Sequence, residues 1–334
     1  MELSEAEIQV LASLEKADIE GEPTDSSSLN AAADRFWVFL EDWSEAYPSL
    51  VAKGLIGGNE EGYRLTQTGR PLARRYHRER PDMYWYYYQK FYQAARASAA
   101  HSQLCKRVFG EDLCQEGQTD MLSLKHLLDI MDLKRGEHLL DLGCGAGVIA
   151  EFISDQTGAS VTGLDYADPA IAEANQRTAD KRSRLTFLQG DMNALDLPAE
   201  SLDSVISLDT LYWVSDLDET LSKLVSSLRP GGRMGIFMNH HIGDRDDPAE
   251  LEPQCTELSK ALSRLGLSFQ TSDYTVQVAE FWQRNWEAAT DLQKEFEAEG
   301  NGFIAASLIR EAEEDYLPDI KAGRIARYFY HVRI

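Results

Sequence analysis

Cysteine is scarce in this 334-residue sequence. The four cysteines show neither C-x-x-C pairs nor the spacing of zinc ligands: Cys105, Cys114, Cys144 and Cys255. The pattern predicts a reducing compartment and no metal site.

Long apolar runs are missing as well. The first ten residues, MELSEAEIQV, are acidic and are not a basic segment followed by an apolar one. No apolar run in the sequence reaches the length that spans a bilayer. We expect a cytoplasmic protein without a membrane partner.

Basic residues are few compared with acidic ones. The chain has 33 Lys and Arg against 56 Asp and Glu, a formal net charge of −23. Such a charge disfavours nonspecific attraction to nucleic acid and anionic lipid, so nucleic acid is not an expected partner. A solvated acidic surface explains the charge best, and steering of a cationic substrate is the alternative.

A glycine-rich turn is the strongest positive signal. Residues 139–142 form an apolar run that predicts a buried strand, and helical spacing begins at Val148. Gly143, Gly145 and Gly147 lie between them, where a sharp turn requires positive φ or close backbone approach. The pattern predicts a strand, turn and helix around a ligand.

A dinucleotide site is one interpretation of that turn. Asp165 lies roughly 20 residues further on, where such folds place an acidic residue on a ribose. The spacing, however, is G-x-G-x-G followed by Val148, so the third glycine of G-x-G-x-x-G is missing. Asp141, just before the turn, would repel a pyrophosphate but attract the ammonium of an amino-acid-like ligand.

The segment DLGCGAG, residues 141–147, resembles the first motif of class I S-adenosylmethionine-dependent methyltransferases. Four later segments are similar to that family in order: Asp165, Gly190–Met192, Leu202–Val214 and Leu228–Arg233. The resemblance implies an α/β fold with a Rossmann-like seven-stranded sheet, S-adenosylmethionine as cofactor and S-adenosylhomocysteine as product.

The resemblance also implies roles for individual residues. Asp165 would bind the ribose hydroxyls, Asp191 the adenine amine, and the loop after the fourth strand would face the methionine part. The implied cofactor-binding residues are Asp141, Gly143, Cys144, Gly145, Gly147, Asp165, Tyr166, Gly190, Asp191, Met192 and Asp209.

Residues 1–83 have their own organisation. Helical periodicity is present at Ile8, Leu11 and Leu14 and from Phe36 to Tyr47, and a turn and short strand follow. This layout resembles a winged helix, which either binds DNA or acts in dimerisation and capping. The segment holds nine Lys and Arg against sixteen Asp and Glu, so we expect a dimerisation or cap domain and a homodimer.

An aromatic-rich segment opens the next region, residues 84–130, which we predict to be a helical cap and linker. Most of its rings are expected to pack against neighbouring helices. Tyr88 and Tyr92 are the candidates for lining the active site, where their rings would stabilise a cation and align the substrate.

Residues 131–334 are the predicted methyltransferase core. Residues 266–275 and 326–334 suit the sixth and seventh strands, and a helical lid insertion is expected at about 276–322. Trp282, in this insertion, packs in the core or contacts substrate.

Two histidines end the predicted fifth strand, at the sheet edge where ligands of open α/β folds bind. His240 or His241 could act as a general base, although a histidine capping the strand end is an equally good interpretation. Substrate contacts are expected from Tyr212, Trp213 and His241.

The leading hypothesis is methyl transfer to a small molecule on S, N or O, with thioether and amine acceptors favoured. Layout, length and acidity are similar to those of bacterial methylthiohydroxybutyrate S-methyltransferases, without a substrate-specific residue. The alternatives are a ligand-sensing regulatory protein with a winged helix and a methyltransferase-like domain, and an NAD-dependent oxidoreductase.

Overall fold

A computed structural model describes residues 2–36, 42–79 and 84–334. The chain divides into two compact units, Met1–Phe91 and Tyr92–Ile334. The predicted boundary at residue 83 lies outside the described residues. No helix in the described ranges is long and apolar enough to cross a membrane.

The N-terminal unit contains helices and one β-hairpin. Its elements are α1 (Glu5–Glu20), α2 (Ser26–Phe36), α3 (Ala46–Ala52), β1 (Ile56–Asn59), β2 (Gly62–Leu65), α4 (Gly69–Glu79) and the start of α5 (Tyr84–Ala97). A capping box of Ser4 and Glu7 begins α1, and Gly21 ends it in the left-handed conformation. The predicted periodicity from Phe36 to Tyr47 falls partly on residues 37–41, which the structure does not describe. The winged-helix assignment stays a prediction.

The C-terminal unit is built on a seven-stranded sheet. Its strands are β3 (His138–Leu142), β4 (Ser160–Asp165), β5 (Leu185–Gln189), β6 (Leu202–Leu208), β7 (Leu228–His241), β8 (Ser268–Asp273) and β9 (Ile325–Arg333). The spatial order is β5-β4-β3-β6-β7-β9-β8. The first five strands are parallel, and β9 is antiparallel to both of its neighbours. The predicted sixth and seventh strands are confirmed as β8 and β9.

Helices cover both faces of this sheet. They are α6 (Ala99–Val108), α7 (Met121–Met131), α8 (Val148–Thr157), α9 (Asp168–Arg177), α10 (Leu217–Ser227), α11 (Glu257–Arg264), α12 (Thr275–Asp291), α13 (Gln293–Ala298), α14 (Gly302–Arg310), a π-helical segment (Glu311–Tyr316) and α15 (Leu317–Ala322). The elements from α12 to α15 form the predicted helical insertion.

Alternation along the strands makes two apolar layers. Leu140 and its neighbours pack on α10 and α11, whereas Leu139 and its neighbours pack on α7, α8 and α9. The strand order reverses between β3 and β6, the switch point at which open parallel sheets bind ligands. The glycine turn follows β3 and therefore lies at this point.

Candidate functional site

The glycine turn between β3 and α8 has the conformation that its sequence predicts. Gly143, Gly145 and Gly147 have φ values of 79°, 53° and 67°. A Cβ on Gly145 would lie 2.5 Å from the hydroxyl of Tyr92, so a side chain there would be both strained and blocked. The turn therefore requires glycine at this position.

Four backbone N–H groups of the turn, those of residues 143, 144, 145 and 147, donate within the protein. Those of Gly143 and Cys144 donate to the carbonyl of Leu164, and that of Gly147 donates to the carbonyl of Cys144. The N–H of Gly145 donates to Oδ2 of Asp165 at 2.8 Å. A pyrophosphate needs such groups free, so this geometry disfavours the dinucleotide interpretation.

Asp165, at the end of β4, organises the turn. Its Oδ2 accepts from Gly145 and its Oδ1 accepts from Ala167. The carboxylate is 6% exposed, and burial raises its pKa while the backbone donors oppose the rise. The sequence predicts that Asp165 contacts the cofactor. In the structure, the N–H of Gly145 holds its carboxylate against the glycine turn.

Asp141 is a second buried carboxyl beside the turn. It is 2% exposed, and burial together with the charge of Asp165 raises its pKa to about 7. Asp141 therefore becomes fully ionised only above about pH 7, and its ionised form suits a cation such as an ammonium.

Tyr92, on α5, lies against the same turn. Its hydroxyl is the atom that a Cβ on Gly145 would meet. Burial and the charges of Asp165 and Glu116 raise the pKa of its phenol. The structure thus brings Tyr92 to the turn, next to Tyr166. Tyr88 belongs to the N-terminal unit, where its ring contacts Tyr87 and Phe91.

Two predicted contacts near the turn have side chains in the protein interior. Cys144 Sγ lies 2.7 Å from where a Cβ on Gly163 would be, so this thiol packs on β4. Met192 is buried in the apolar layer beneath α10. The Cys144 thiol also donates to the carbonyl of Gly145 at 3.6 Å, so its side chain lies between β4 and the turn.

Asp191 follows β5 and Gly190, as predicted. Its Oδ1 accepts from the backbone and side-chain nitrogens of Asn193 at 2.8 and 3.0 Å. The carboxylate therefore holds the loop after β5 in place and is only half-buried.

The cofactor contact predicted for Asp209 stays a prediction. In the structure its carboxylate forms a buried ion pair with Nη1 and Nη2 of Arg327. Gln118 N and Thr119 Oγ1 donate to the same carboxylate. With these partners, the side chain is 5% exposed and anchors the loop after β6.

The sequence analysis overlooked Arg327. It lies in β9 between buried residues and is itself 2% exposed, with its guanidinium over the ring of Phe237. Its Nη1 also donates to Oδ1 of Asn239 on β7 at 3.2 Å. A single charge within the otherwise aromatic and apolar pattern ARYFYHV was the signal that could have revealed it.

His240, a predicted candidate base, is buried at the end of β7. Its Nε2 is hydrogen-bonded to the hydroxyl of Tyr330 at 2.8 Å, and burial lowers its pKa to about 4. Its ring lies with Tyr328 and Tyr330 in the layer opposite Asn239 and Arg327. Neighbouring strand residues point to opposite faces, so His240 faces the apolar layer that contains Tyr328 and Tyr330.

His241 lies at the exposed end of β7. Its Nδ1 is 3.2 Å from Oδ2 of Asp319, and its ring meets the edge of Tyr316 at 5.4 Å. Tyr212 and Trp213 follow β6 and are each more than a third exposed.

An aromatic cluster from the helical insertion completes this edge. Tyr316 stacks on Trp282, with ring centroids 3.9 Å apart and planes at 16°. Burial raises the pKa of the Tyr316 phenol, as do the charges of Glu311 and Asp209. Trp282 is 3% exposed, which agrees with its predicted packing role, and Tyr316 was not predicted.

No group of three or more His, Cys, Asp or Glu among the described residues could hold a metal ion.

Comparison with known proteins identifies the domain. A model of a methyltransferase domain family matches residues 139–232, less than a third of the chain. The sterol 24-C-methyltransferase ERG6B of Gibberella zeae is 29% identical over 181 residues, which cover 53% of this chain and 44% of that protein. The chain thus spans less than half of this relative.

Solved structures show the same fold. A phosphoethanolamine N-methyltransferase 2 of Haemonchus contortus, in complex with phosphomonomethylethanolamine and S-adenosylhomocysteine, aligns with a TM-score of 0.58 at 17% identity, covering 74% of this chain and 60% of that one. The [4+2]-cyclase SpnF aligns with a TM-score of 0.56 at 18% identity, and the alignment covers 74% of this chain and 96% of the cyclase. Together with the family match, these alignments confirm the predicted class I methyltransferase fold. Because a cyclase has the same fold, the function must be argued from the site.

Proposed function

We propose that this chain, whose residues 139–232 form a class I methyltransferase domain, transfers a methyl group from S-adenosylmethionine to a small-molecule acceptor. The observation that carries the proposal is the Asp165 carboxylate held at the end of β4 by the N–H of Gly145. This contact places a carboxylate at the switch point of the sheet, where it can accept from the ribose hydroxyls.

The residues around the turn fit this cofactor. Asp141 would hold the ammonium of its methionine part, Asp165 its ribose and Asp191 its adenine. The charge of Asp165 raises the pKa of Asp141, which a bound ammonium would counteract. When bound, the cofactor supplies a methyl group on a sulfonium, which the acceptor attacks in line.

The protein's task in such a displacement is alignment and the exclusion of water. Tyr92 lies over the turn, and Trp282 and Tyr316 form an aromatic wall on the insertion. Aromatic rings at this edge are suited to a cationic donor or product. Tyr212 and Trp213 complete the proposed lining, and the role of Tyr88 stays a prediction.

The acceptor is proposed to be a thioether or an amine. His240 is buried, hydrogen-bonded to Tyr330 and has a pKa of about 4, so it does not serve as a base. A thioether has a free lone pair without losing a proton and suits this site best, whereas an alkylamine must first release the proton of its ammonium form. His241, beside Asp319, is the remaining candidate for a base.

Calorimetry and turnover test the proposal together. We expect the full chain to bind S-adenosylmethionine and to release S-adenosylhomocysteine with members of a panel of thioethers, amines, phenols and hydroxy acids. Asp165→Ala should weaken donor binding at least about tenfold, because a charged hydrogen-bonding partner is lost. Asp180→Ala, at an exposed turn, is the matched control and should bind normally. Absence of donor binding to the wild-type chain would refute the proposal.

For the N-terminal unit we propose a dimerisation or cap role, with the chain acting as a homodimer. Two arginines of α4 form ion pairs within the unit: Arg70 pairs with Asp18 and Glu15, and Arg74 pairs with Glu15. A DNA-binding surface needs such charges free. This pairing argues against the regulatory alternative.

Light scattering and duplex titration examine this role. We expect the full chain to scatter as a dimer and to show no binding to duplex DNA at 0.15 M salt. A monomer that binds DNA tightly would instead favour the regulatory alternative.

A further inference from the structure

Beside the glycine turn lies a polar cluster that cofactor binding does not use. We call Gln118, Asp209, Asn239, Tyr316 and Arg327 the polar floor. Asp209 directly precedes Thr210, whose Oγ1 donates to the carbonyl of Leu142 in β3. The cluster is therefore next to the point at which the turn begins.

Tyr316 connects the members of the polar floor. Its hydroxyl accepts from Nε2 of Gln118 at 3.0 Å, and the Asn239 side chain faces the same hydroxyl. Tyr316 ends a π-helical segment, a rare feature that is frequent at functional sites. Its stacking on Trp282 fixes the ring.

Two polar atoms of this cluster are left unpaired. Gln118 Oε1 and Asn239 Nδ2 have no hydrogen-bond partner among the described residues, although the two side chains are only 7% and 5% exposed. Each unsatisfied buried group costs about 1–3 kcal/mol, so native proteins retain such groups where a ligand satisfies them.

The charges of the polar floor cancel. Arg327 is held by both oxygens of Asp209, and its Nη1 also donates to Asn239 Oδ1. A fully charged group placed here would have no free counter-charge in the cluster, so the floor suits a neutral polar group.

The unpaired atoms are one acceptor and one donor. A carboxylate can only accept and would be repelled by Gln118 Oε1, whereas an ammonium can only donate and leaves Asn239 Nδ2 unsatisfied. A hydroxyl does both through a single oxygen: it donates to Oε1 and accepts from Nδ2.

We propose that Gln118 Oε1 and Asn239 Nδ2 bind a hydroxyl group of the methyl acceptor, so that the substrates are small molecules carrying a hydroxyl near the atom that is methylated. This inference rests on the proposed methyl transfer and names its substrate class. Gln118, Asn239 and Tyr316 are then residues that determine acceptor specificity.

Paired ligands that differ by one hydroxyl test the inference. The probes are 2-(methylthio)ethanol against ethyl methyl sulfide, and 2-(dimethylamino)ethanol against N,N-dimethylethylamine. Binding is measured by calorimetry on the full chain saturated with S-adenosylhomocysteine, and turnover is measured with S-adenosylmethionine. We expect the hydroxylated member of at least one pair to bind at least about tenfold more tightly, because the other member leaves both atoms unpaired.

Variants connect that preference to the polar floor. In Gln118→Met and Tyr316→Phe, the hydroxylated probe should bind less than about threefold more tightly than its partner, while S-adenosylhomocysteine still binds. Tyr330→Phe is the matched control, because its hydroxyl is also buried but bonds to His240 and Thr256 on the opposite face. This variant should keep the preference.

The outcomes separate the two proposals. The hydroxyl subsite is overturned if S-adenosylhomocysteine binds normally but both members of each pair bind with equal affinity. It is also overturned if S-adenosylhomocysteine binds normally and no probe binds. Either outcome leaves the proposed methyl transfer intact. Tighter binding of (methylthio)acetate than of 2-(methylthio)ethanol would also overturn the hydroxyl subsite. Absence of donor and product binding would refute methyl transfer itself.

Discussion

Arg327→Met is expected to lower the free energy of unfolding by about 3–5 kcal/mol, because it leaves Asp209 charged and buried without its partner. The pair is 2% and 1% exposed at its side chains, so water cannot replace the lost guanidinium. Urea unfolding, followed by fluorescence, measures the change. The double variant Asp209→Asn, Arg327→Met should recover part of the loss, because neither charge is then buried alone.

A second arginine–aspartate pair gives the matched control. Arg264 donates to both oxygens of Asp218 at 3.1 and 2.6 Å, but these side chains are about half exposed. Solvent screens this pair, so Arg264→Met should lower the free energy of unfolding far less than Arg327→Met. Equal losses for the two arginine variants would contradict the structural role given to the buried pair.

Asp141→Asn is expected to stabilise the ligand-free protein at alkaline pH and to impair donor binding. The folded-state pKa of Asp141 is raised to about 7. A raised carboxyl pKa means that the folded state holds a proton which the unfolded state has released, so stability is lost as the pH rises from about 4 through 7. The variant carries no such proton. It should therefore gain about 1–3 kcal/mol over wild type at pH 8 and no such gain at pH 4.

Asp141→Asn should weaken donor binding at alkaline pH, although it stabilises the ligand-free protein there. The ionised carboxylate is the form that attracts an ammonium, so wild-type affinity for S-adenosylmethionine is expected to rise between pH 6 and pH 8. Asp141→Asn should lower that affinity at least about tenfold at pH 8, because a buried charged partner is removed. Thermal unfolding across pH and calorimetry measure the two effects, with the exposed Asp180→Asn as control. A stability difference that is the same at pH 4 and pH 8, or unchanged donor affinity, would contradict this role.

The sequence predicted the sheet and the cofactor turn well. Apolar runs predicted the strands, and glycines at every second position predicted the turn after β3. Asp165 ends β4, as expected. These features depend on neighbours along the chain, and local periodicity and backbone conformation are therefore enough to predict them.

Side-chain orientation was harder to predict. His240 and His241 are adjacent and both end β7, yet only the structure shows that the first packs against Tyr330 and the second lies beside Asp319. A shift of one residue changes the face of a strand, and the sequence gives strand ends to within a few residues only. The sequence therefore left open whether His240 or His241 is the candidate base.

The chain's own sequence determined the methyltransferase sheet, its order of motifs and the acidic groups at the turn. Only the tertiary structure decided how Asp209 pairs with Arg327, 118 residues away, and how Tyr316 meets Gln118 across 198 residues. Polar residues so far apart carry no local signal of each other. They become partners because the fold buries them together, where a charge or a hydrogen-bonding group without a partner costs several kcal/mol.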